Sequence, residues 1–208
     1  MKYELIIVLD FGGQYNQLIA RRVRDLNVYC EVLSYDAPIE EIKNKNPKGI
    51  IFTGGPSVVT EEDAPIVDKE IFNLGIPVFG ICYGCQLMGY LNGGQVGKAD
   101  KKEYGKAELT VNNQNPLFKN IDKDSICWMS HTYYITEAPP NFEVIGTTET
   151  CPTASIYNKD KNLYGVQFHP EVVHTQFGND IIKNFLYNIC KCKGDWVMTD
   201  IAKRWYNH

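Results

Sequence analysis

The residues with the clearest chemical meaning surround Cys82, in the run Gly80-Ile81-Cys82-Tyr83-Gly84. The apolar segment 76–79 before it predicts a buried strand, and segment 86–91 after it predicts a helix. A Gly-x-Cys-x-Gly turn from strand to helix holds the cysteine on a tight bend, with its side chain exposed above the sheet. The N-terminus of the helix stabilises a thiolate, the form of sulfur that attacks carbonyl carbons. The run therefore predicts a cysteine nucleophile.

A base for this nucleophile is predicted far downstream, where the strand-like run 163–168 leads into His169-Pro170-Glu171. A cysteine nucleophile needs a base to take its proton, and the base needs a partner that fixes its orientation. His169 and Glu171 are two residues apart, so in an extended segment their side chains share a face. Pro170 biases His169 towards an extended backbone. We predict that Cys82, His169 and Glu171 act as nucleophile, general base and orienting carboxylate.

The cysteines leave one further interpretation open. Cys82 and Cys85 form a C-x-x-C pair at a helix start, which is also typical of redox motifs. Cys85→Ser would preserve activity if Cys82 is a nucleophile, and would abolish activity if Cys82 and Cys85 form a redox pair. A metal site is not predicted, because no second C-x-x-C or histidine pair has ligand spacing.

Composition excludes several classes of protein. At 208 residues the chain is expected to form mainly one domain. A net charge of -4 provides no basic patch, so a nucleic acid partner is not expected. No run approaches the roughly 18 apolar residues that a membrane span requires. The N-terminus has no signal-peptide pattern, and we expect a cytoplasmic location.

Strands and helices alternate over the first 95 residues. Apolar runs and helical periodicity predict strands at 5–9, 28–33, 49–53 and 77–81, and helices at 14–26, 38–45, 63–74 and from 83. This alternation predicts right-handed βαβ units and a mostly parallel central sheet flanked by helices, an α/β fold.

The pattern changes after residue 95. Strands are predicted at 106–111, 126–130, 142–148, 153–157 and 163–168, with short turns and little helix between them. We expect these strands to form a mixed or antiparallel extension of the sheet. An amphipathic helix is predicted at 177–189 to close the domain.

Together these motifs resemble the class I, triad-type glutamine amidotransferases, whose fold is flavodoxin-like. The resemblance lies in the pattern P-V-F-G-I-C-Y-G-x-Q around Cys82 and in H-P-E at 169–171. Further runs, D-F-G-G-Q-Y at 10–15, Y-G-K-A-E at 104–108 and W-M-S-H at 128–131, are similar to the amidotransferase domains of GMP synthetases.

The resemblance implies hydrolysis of L-glutamine to glutamate and ammonia through a glutamyl thioester on Cys82. The backbone N–H of Tyr83 and Gly55 are the candidate oxyanion donors. By resemblance Gln86 contacts the substrate, and the backbone around Ser130, Thr132 and Tyr133 holds its α-amino and carboxylate groups.

The resemblance also implies a partner. Residues 1–190 would form the amidotransferase domain, and 191–208 would begin a linker to an ATP-pyrophosphatase synthetase domain that aminates XMP to GMP. No cofactor is expected in the amidotransferase domain, whereas ATP and Mg²⁺ would belong to the synthetase. A homodimer is expected as a possible state of the full-length enzyme.

One residue departs from the family pattern, and two alternative functions are left open. The family usually has aspartate where this chain has Tyr133, beside the predicted glutamine site. The same glutaminase chemistry could serve another acceptor, such as chorismate or carbamoyl phosphate synthesis. The fold could also serve as a docking or regulatory module without turnover.

Overall fold

The computed structural model describes residues 3–197, and its first half alternates strands with helices. The elements are β1 (Leu5–Asp10), α1 (Asn16–Asp25), β2 (Tyr29–Ser34), α2 (Ile39–Lys45), β3 (Gly49–Phe52), β4 (Val78–Ile81) and α3 (Tyr83–Leu91). The prediction of βαβ units in this half is confirmed.

The second half supplies most of the remaining strands and the last helix. These elements are β5 (Gln95–Val111), β6 (Asp124–Glu137), β7 (Glu143–Thr147), β8 (Ser155–Asn158), β9 (Leu163–Val166) and α4 (Gly178–Lys183). A wider, π-helical stretch, Asn184–Ile189, continues α4. The predicted helix at 177–189 is therefore present, but only its first part has regular α-helical geometry.

All nine strands named above form one sheet in the order β2-β1-β3-β4-β9-β8-β7-β5-β6. The five strands from β2 to β9 are parallel, and the rest of the sheet is antiparallel. The predicted mixed extension is confirmed. Because β2 and β3 lie on opposite sides of β1, the chain reverses direction across the sheet there, and such a switch point leaves a crevice at the carboxyl ends of the strands.

The core covers both faces of the sheet. On β1, Ile6 and Val8 belong to a buried cluster under α1 and α4, whereas Ile7 and Leu9 belong to a second cluster under α2 and α3. A strand buried on both faces has a continuous apolar sequence, which explains the run Leu5-Ile6-Ile7-Val8-Leu9.

The prediction of a helix at 63–74 is wrong. Only Lys69–Asn73 form a short 3-10 helix. Pro65 disfavours helical geometry in the residue before it and cannot donate a backbone hydrogen bond. The carboxylate of Asp68 accepts from the backbone N–H of Glu70 at 3.0 Å, so the helical turn begins only after Asp68.

Strands β5 and β6 are much longer than predicted. They pair from Gln95 with Glu137 to Thr110 with Asp124, and the register shifts between Lys98 and Glu103. Every residue from 98 to 103 except Ala99 is charged, so this half of β5 has no apolar alternation for sequence analysis to detect.

The segment 191–197 packs against the domain. Trp196 is buried, its backbone N–H donates to Asn27 O at 3.1 Å, and its ring lies 6.4 Å from that of Tyr29. Glu4 accepts from the backbone of Lys193 at 2.8 Å. The beginning of the predicted linker is therefore held at the edge of the sheet where β1 and β2 start, and residues 198–208 lie outside the described range.

Among residues 3–197, no helix is both long enough and apolar enough to cross a membrane.

Candidate active site

Cys82 stands on the bend between β4 and α3 with φ 52° and ψ -109°. A positive φ is rare for a residue with a Cβ atom, because the side chain then crowds the backbone. The bend is maintained by backbone hydrogen bonds on both sides: Cys82 N–H donates to Val166 O at 2.8 Å, and Gln86 N–H donates to Cys82 O at 3.1 Å. This is the strained strand-to-helix turn that the sequence predicted.

The two glycines around Cys82 allow close backbone approach. A Cβ atom on Gly80 would lie 2.6 Å from Gly84 O, and one on Gly84 would lie 2.6 Å from both Cβ and O of Phe52. Real Cβ atoms do not approach backbone atoms so closely, so α3 can start directly above β3 and β4 only with glycine at both positions.

His169 and Glu171 follow β9, which lies beside β4 in the sheet. Nδ1 of His169 is 2.6 Å from Oε1 of Glu171, and both side chains are buried. The backbone around them is held by three bonds: His169 N–H donates to Trp128 O at 3.0 Å, Thr175 Oγ1 donates to His169 O at 2.6 Å, and Arg22 Nε donates to Glu171 O at 3.1 Å.

His169 lies beside Cys82, since both side chains border Gly54. Because Nδ1 is paired with Glu171, Nε2 is the ring nitrogen left to interact with the sulfur. Burial acts to lower the pKa of His169, but hydrogen bonds and negative charge from Cys82 and Glu171 outweigh it and raise the pKa from 6.5 to about 10. The structure therefore favours a protonated imidazole beside the sulfur.

A cavity of about 550 Å³ opens above Cys82. Its walls are the loop after β1 (residues 12–15), the loop after β3 (54–58) and the β6 segment 130–133. The first two loops end neighbouring parallel strands at the switch point, which explains why the cavity forms there.

The predicted site residues converge on this cavity. Cys82, His169 and Glu171 line it, and so do the predicted oxyanion and substrate residues Gly55, Gln86, Ser130, Thr132 and Tyr133. Tyr83 contributes only its backbone here, since its hydroxyl donates to Pro65 O at 2.7 Å. The N–H of Tyr83 is a first-turn amide of α3, a group that has no acceptor within its own helix. The roles of these residues remain predictions.

The backbone of Tyr133 makes two contacts behind the cavity wall. Its carbonyl oxygen accepts from Gln86 Nε2 at 2.9 Å and lies 3.0 Å from His131 Nδ1. These bonds do not depend on the side chain at position 133. His131 is held in turn by Glu103, whose Oε2 lies 3.0 Å from His131 Nε2.

Burial acts to raise the pKa of Glu103, but hydrogen bonds from His131, Thr150 and Thr148 outweigh it, so the pKa of the carboxyl is lowered. A half-buried carboxylate therefore lies behind the cavity wall. Sequence analysis did not single out Glu103, because the pairing that brings it to His131 crosses 28 residues and a register shift.

Two more residues, one beside the sulfur and one at the rim of the cavity, were not predicted from the sequence. Gln167 Nε2 lies 3.6 Å from Cys82 Sγ. Tyr104 lines the cavity, and its hydroxyl is 3.0 Å from Thr132 Oγ1. Tyr104 lies within the Y-G-K-A-E run and Gln167 stands two residues before H-P-E, but nothing in the sequence shows where their side chains point.

All seven cysteines lie in the described range, and all are free thiols. Cys85 is fully buried on α3, and burial raises its pKa well above the ordinary value, with smaller effects from Cys151 and Cys82. A buried neutral thiol is a poor redox partner, which weighs against the C-x-x-C interpretation. Within the part of the chain that the structure describes, no three His, Cys, Asp or Glu side chains are grouped to hold a metal ion.

Comparison with known families decides the family. The family model for class-I glutamine amidotransferases matches residues 7–189. The chain belongs to the class-I glutamine amidotransferase family. The elbow at Cys82 and the His169–Glu171 pair both lie within the matched range.

Two curated relatives of this amidotransferase are named GMP synthase [glutamine-hydrolyzing]. One, from Caldicellulosiruptor saccharolyticus, is 61% identical over 94% of the chain, and one from Acetivibrio thermocellus is 59% identical over the whole chain. The chain spans 38% and 40% of their lengths, respectively.

Solved structures agree with the fold of the amidotransferase. The structure of a proposed GMP synthase subunit from Thermoplasma acidophilum has a TM-score of 0.83 and 32% identity, and covers 92% of this chain and 96% of its own. A glutamine amidotransferase structure from Thermotoga maritima has a TM-score of 0.72 at 15% identity, covers 92% of this chain and 100% of its own, and supports the fold alone.

Proposed function

We propose that this amidotransferase hydrolyses L-glutamine to glutamate and ammonia through a Cys-His-Glu triad. One observation supports the triad above all others. At the floor of the cavity, His169 lies beside Cys82 and pairs through Nδ1 with the buried carboxylate of Glu171, which leaves Nε2 for the sulfur. This is the arrangement of nucleophile, base and orienting group that acyl transfer requires.

In the first half of the reaction, the thiolate of Cys82 attacks the side-chain amide carbon of glutamine. Protonated His169 then donates its Nε2 proton to the amide nitrogen as the C–N bond of the tetrahedral intermediate breaks, and the nitrogen leaves as ammonia. The product on the enzyme is a γ-glutamyl thioester. The raised pKa of His169 suits this step, because the proton is in place before the C–N bond breaks.

In the second half, neutral His169 takes a proton from water, whose oxygen attacks the thioester carbon. The C–S bond breaks, glutamate leaves, and the pair of thiolate and imidazolium is restored. Glu171 keeps its bond to Nδ1 throughout and so directs Nε2 towards the reacting atoms.

Each tetrahedral intermediate carries an oxyanion. The N–H of Tyr83, beside the nucleophile, and that of Gly55, in the loop after β3, are the proposed donors. One such donor contributes about 3–4 kcal/mol to transition-state stabilisation in comparable enzymes.

Gln86 is proposed to contact the substrate through its carbonyl oxygen. Both hydrogens of Gln86 Nε2 are engaged, one by Tyr133 O at 2.9 Å and one by Gln167 Oε1 at 3.2 Å. Oε1 is therefore the atom of this side chain that can accept a hydrogen bond from glutamine. The backbone of Ser130, Thr132 and Tyr133 is proposed to hold the α-amino and carboxylate groups.

We assign the ammonia to the amination of XMP, because the relatives at about 60% identity are named GMP synthase [glutamine-hydrolyzing]. This acceptor requires an ATP-pyrophosphatase synthetase domain, with ATP and Mg²⁺ bound there. Combining the chain with the synthetase portion of such a relative tests the assignment. Glutamine-dependent formation of GMP from XMP supports it, and glutaminase activity that never supports amination of XMP contradicts it.

Release of glutamate from glutamine by the chain, alone and with the synthetase, tests the hydrolysis. Cys82→Ala is expected to lower kcat by about 10⁴-fold or more, as for nucleophiles of similar triads. A diazo-ketone analogue of glutamine should label Cys82, and mass mapping of the peptides identifies the site. Labelling of another residue, or turnover that survives Cys82→Ala, would contradict the mechanism.

A further inference from the structure

Gln167 places a side-chain amide against the nucleophile. It follows β9 directly, two residues before His169, and is 1% exposed. Its Nε2 donates to Cys82 Sγ at 3.6 Å, within the range of hydrogen bonds to sulfur. Its backbone is fixed as well, since Gln167 N–H donates to Ala154 O at 2.8 Å. The amide therefore reaches the sulfur from the sheet side and not from solvent.

The orientation of this amide is determined by its neighbour. Gln86 Nε2 donates to Gln167 Oε1 at 3.2 Å, so the oxygen of Gln167 faces Gln86 and its nitrogen faces Cys82. Gln86 is oriented in the same way, because its Nε2 also donates to Tyr133 O at 2.9 Å. A carbonyl oxygen only accepts, so neither amide can turn over without losing a buried hydrogen bond.

We propose that Gln167 is a further catalytic residue, which donates a hydrogen bond to the sulfur of Cys82 and favours its thiolate. This rests on the proposed role of Cys82 as nucleophile. A hydrogen bond to an ionised acceptor is about twice as strong as one to a neutral acceptor, so this donor stabilises the thiolate more than the thiol. It favours ionisation before attack, and it favours departure of the sulfur when the C–S bond of the second intermediate breaks.

The sulfur has few other polar neighbours. His169 lies beside it, and the thiol donates to Ser130 O at 3.8 Å. His169 and the neutral, buried Cys85 are ionisable groups that interact with Cys82. Replacement of Gln167 leaves all of these groups in place and removes one donor.

Alkylation of Cys82 by iodoacetamide, followed between pH 6 and pH 10, tests the proposal on the full chain. Peptide mapping separates Cys82 from the other six cysteines. Gln167→Met keeps the length of the side chain without a donor, and Gln167→Asn keeps the amide but withdraws it by one methylene. Gln176→Met is the matched control. Gln176 lies on the same connection between β9 and α4 as Gln167, but its Oε1 accepts from Ile126 N–H, away from the sulfur.

At pH 7 we expect both Gln167 variants to alkylate Cys82 about tenfold more slowly than the unchanged chain, the effect of one hydrogen bond to a charged group. At pH 10 the rates should converge, because that pH lies above the ordinary range in which a cysteine thiol ionises, with or without a donor. The control should match the unchanged chain at every pH. Circular dichroism and the melting temperature show whether each variant folds.

Equal alkylation rates at pH 7 in a folded Gln167 variant would overturn the proposal, as would slowing by the same factor at pH 7 and pH 10. The latter result would mean that Gln167 only shapes access to the sulfur. Alkylation requires no glutamine, so the outcome does not depend on the substrate. Failure of glutamine hydrolysis in the unchanged chain would reject the proposed function and leave this measurement interpretable.

Discussion

His169 controls the charge balance of the cavity. Its ring is buried, and desolvation alone would favour the neutral form. Interactions with Cys82 and Glu171 reverse that preference and raise the pKa of His169. The consequence is an acid that stays protonated at neutral pH while it lies against the sulfur.

This balance predicts the titration of His169. The pKa of about 10 lies above the ordinary 6.5, so protonated His169 stabilises the fold fully below about pH 6.5, and this contribution is lost as the pH rises through 10. In Cys82→Ala one of the two partners is absent, and we expect the titration midpoint to fall. NMR of ¹⁵N-labelled histidine measures both midpoints. A midpoint near 6.5 in the unchanged chain, or one that Cys82→Ala leaves in place, would be inconsistent with this account.

The bend between β4 and α3 leaves no room for a Cβ atom at Gly84. A methyl group there would meet the backbone of Phe52 at 2.6 Å. We expect Gly84→Ala to lower the free energy of unfolding by about 1–3 kcal/mol, as other overpacking substitutions do, and to abolish Cys82 alkylation at pH 7. Urea denaturation measures the stability.

Gly89 provides the control, because it lies in the same helix and the new methyl group would meet only the side chain of Ile135, whose δ-methyl is nearest at 2.7 Å. The end of a flexible side chain can move, so Gly89→Ala should cost less and should keep the reactivity of Cys82. Equal losses in the two variants would show that helix-wide effects, and not the bend, are responsible.

The pair of Glu103 on β5 and His131 on β6 supports the proposed substrate wall. His131 holds the carbonyl of Tyr133, the same oxygen that orients Gln86. Glu103→Gln weakens this support, and we expect KM for glutamine to rise about threefold to tenfold with little change in kcat. Steady-state kinetics measures the two constants.

Glu108→Gln is the matched control for Glu103→Gln, because Glu108 is exposed on the same strand. An unchanged KM in Glu103→Gln, or an equal rise in both variants, would argue against a role for the pair in substrate binding.

Sequence patterns predict elements well where burial is regular. The run in β1 is apolar because both its faces are covered, and the glycines around Cys82 have a specific steric role. The segment 63–74 has the apolar spacing of a helix, but Pro65 and Asp68 override that spacing in the folded chain. The first half of β5 escapes prediction because it is held by pairing with β6, a long-range interaction that leaves no apolar alternation.

The candidate site shows the same limit. Cys82, His169 and Glu171 can be proposed from local motifs, because each motif carries its own geometry. Gln167 stands two positions from His169, but its contact with the sulfur depends on how β9 lies beside β4 and on the orientation of Gln86. Such directions follow only from the tertiary structure.

At the scale of the molecule, the candidate site and the C-terminal segment 191–197 lie at opposite edges of the parallel part of the sheet. The carboxyl ends of β1, β3 and β4 border the cavity, whereas the segment 191–197 crosses the opposite edge of the sheet. Strands of four to six residues separate the two edges by about 13–20 Å.

This separation predicts that stability and catalysis can be altered independently. Trp196 is 3% exposed and packs near Tyr29, so we expect Trp196→Ala to lower the free energy of unfolding by about 3 kcal/mol. Cys82 alkylation and glutamine turnover should stay within about twofold of the unchanged chain below the melting temperature, since well-separated sites act independently. A large loss of turnover in the folded variant would mean that the two edges are coupled.

The backbone conformation at Cys82 also limits which other nucleophilic side chains this position can hold. With φ at 52°, an unbranched side chain is tolerated, whereas a side chain branched at Cβ is strongly disfavoured. The side chain of serine, which is also unbranched at Cβ, fits this position as well as that of cysteine does. Threonine, the other alcohol that proteins use for acyl transfer, is strongly disfavoured there because it is branched at Cβ.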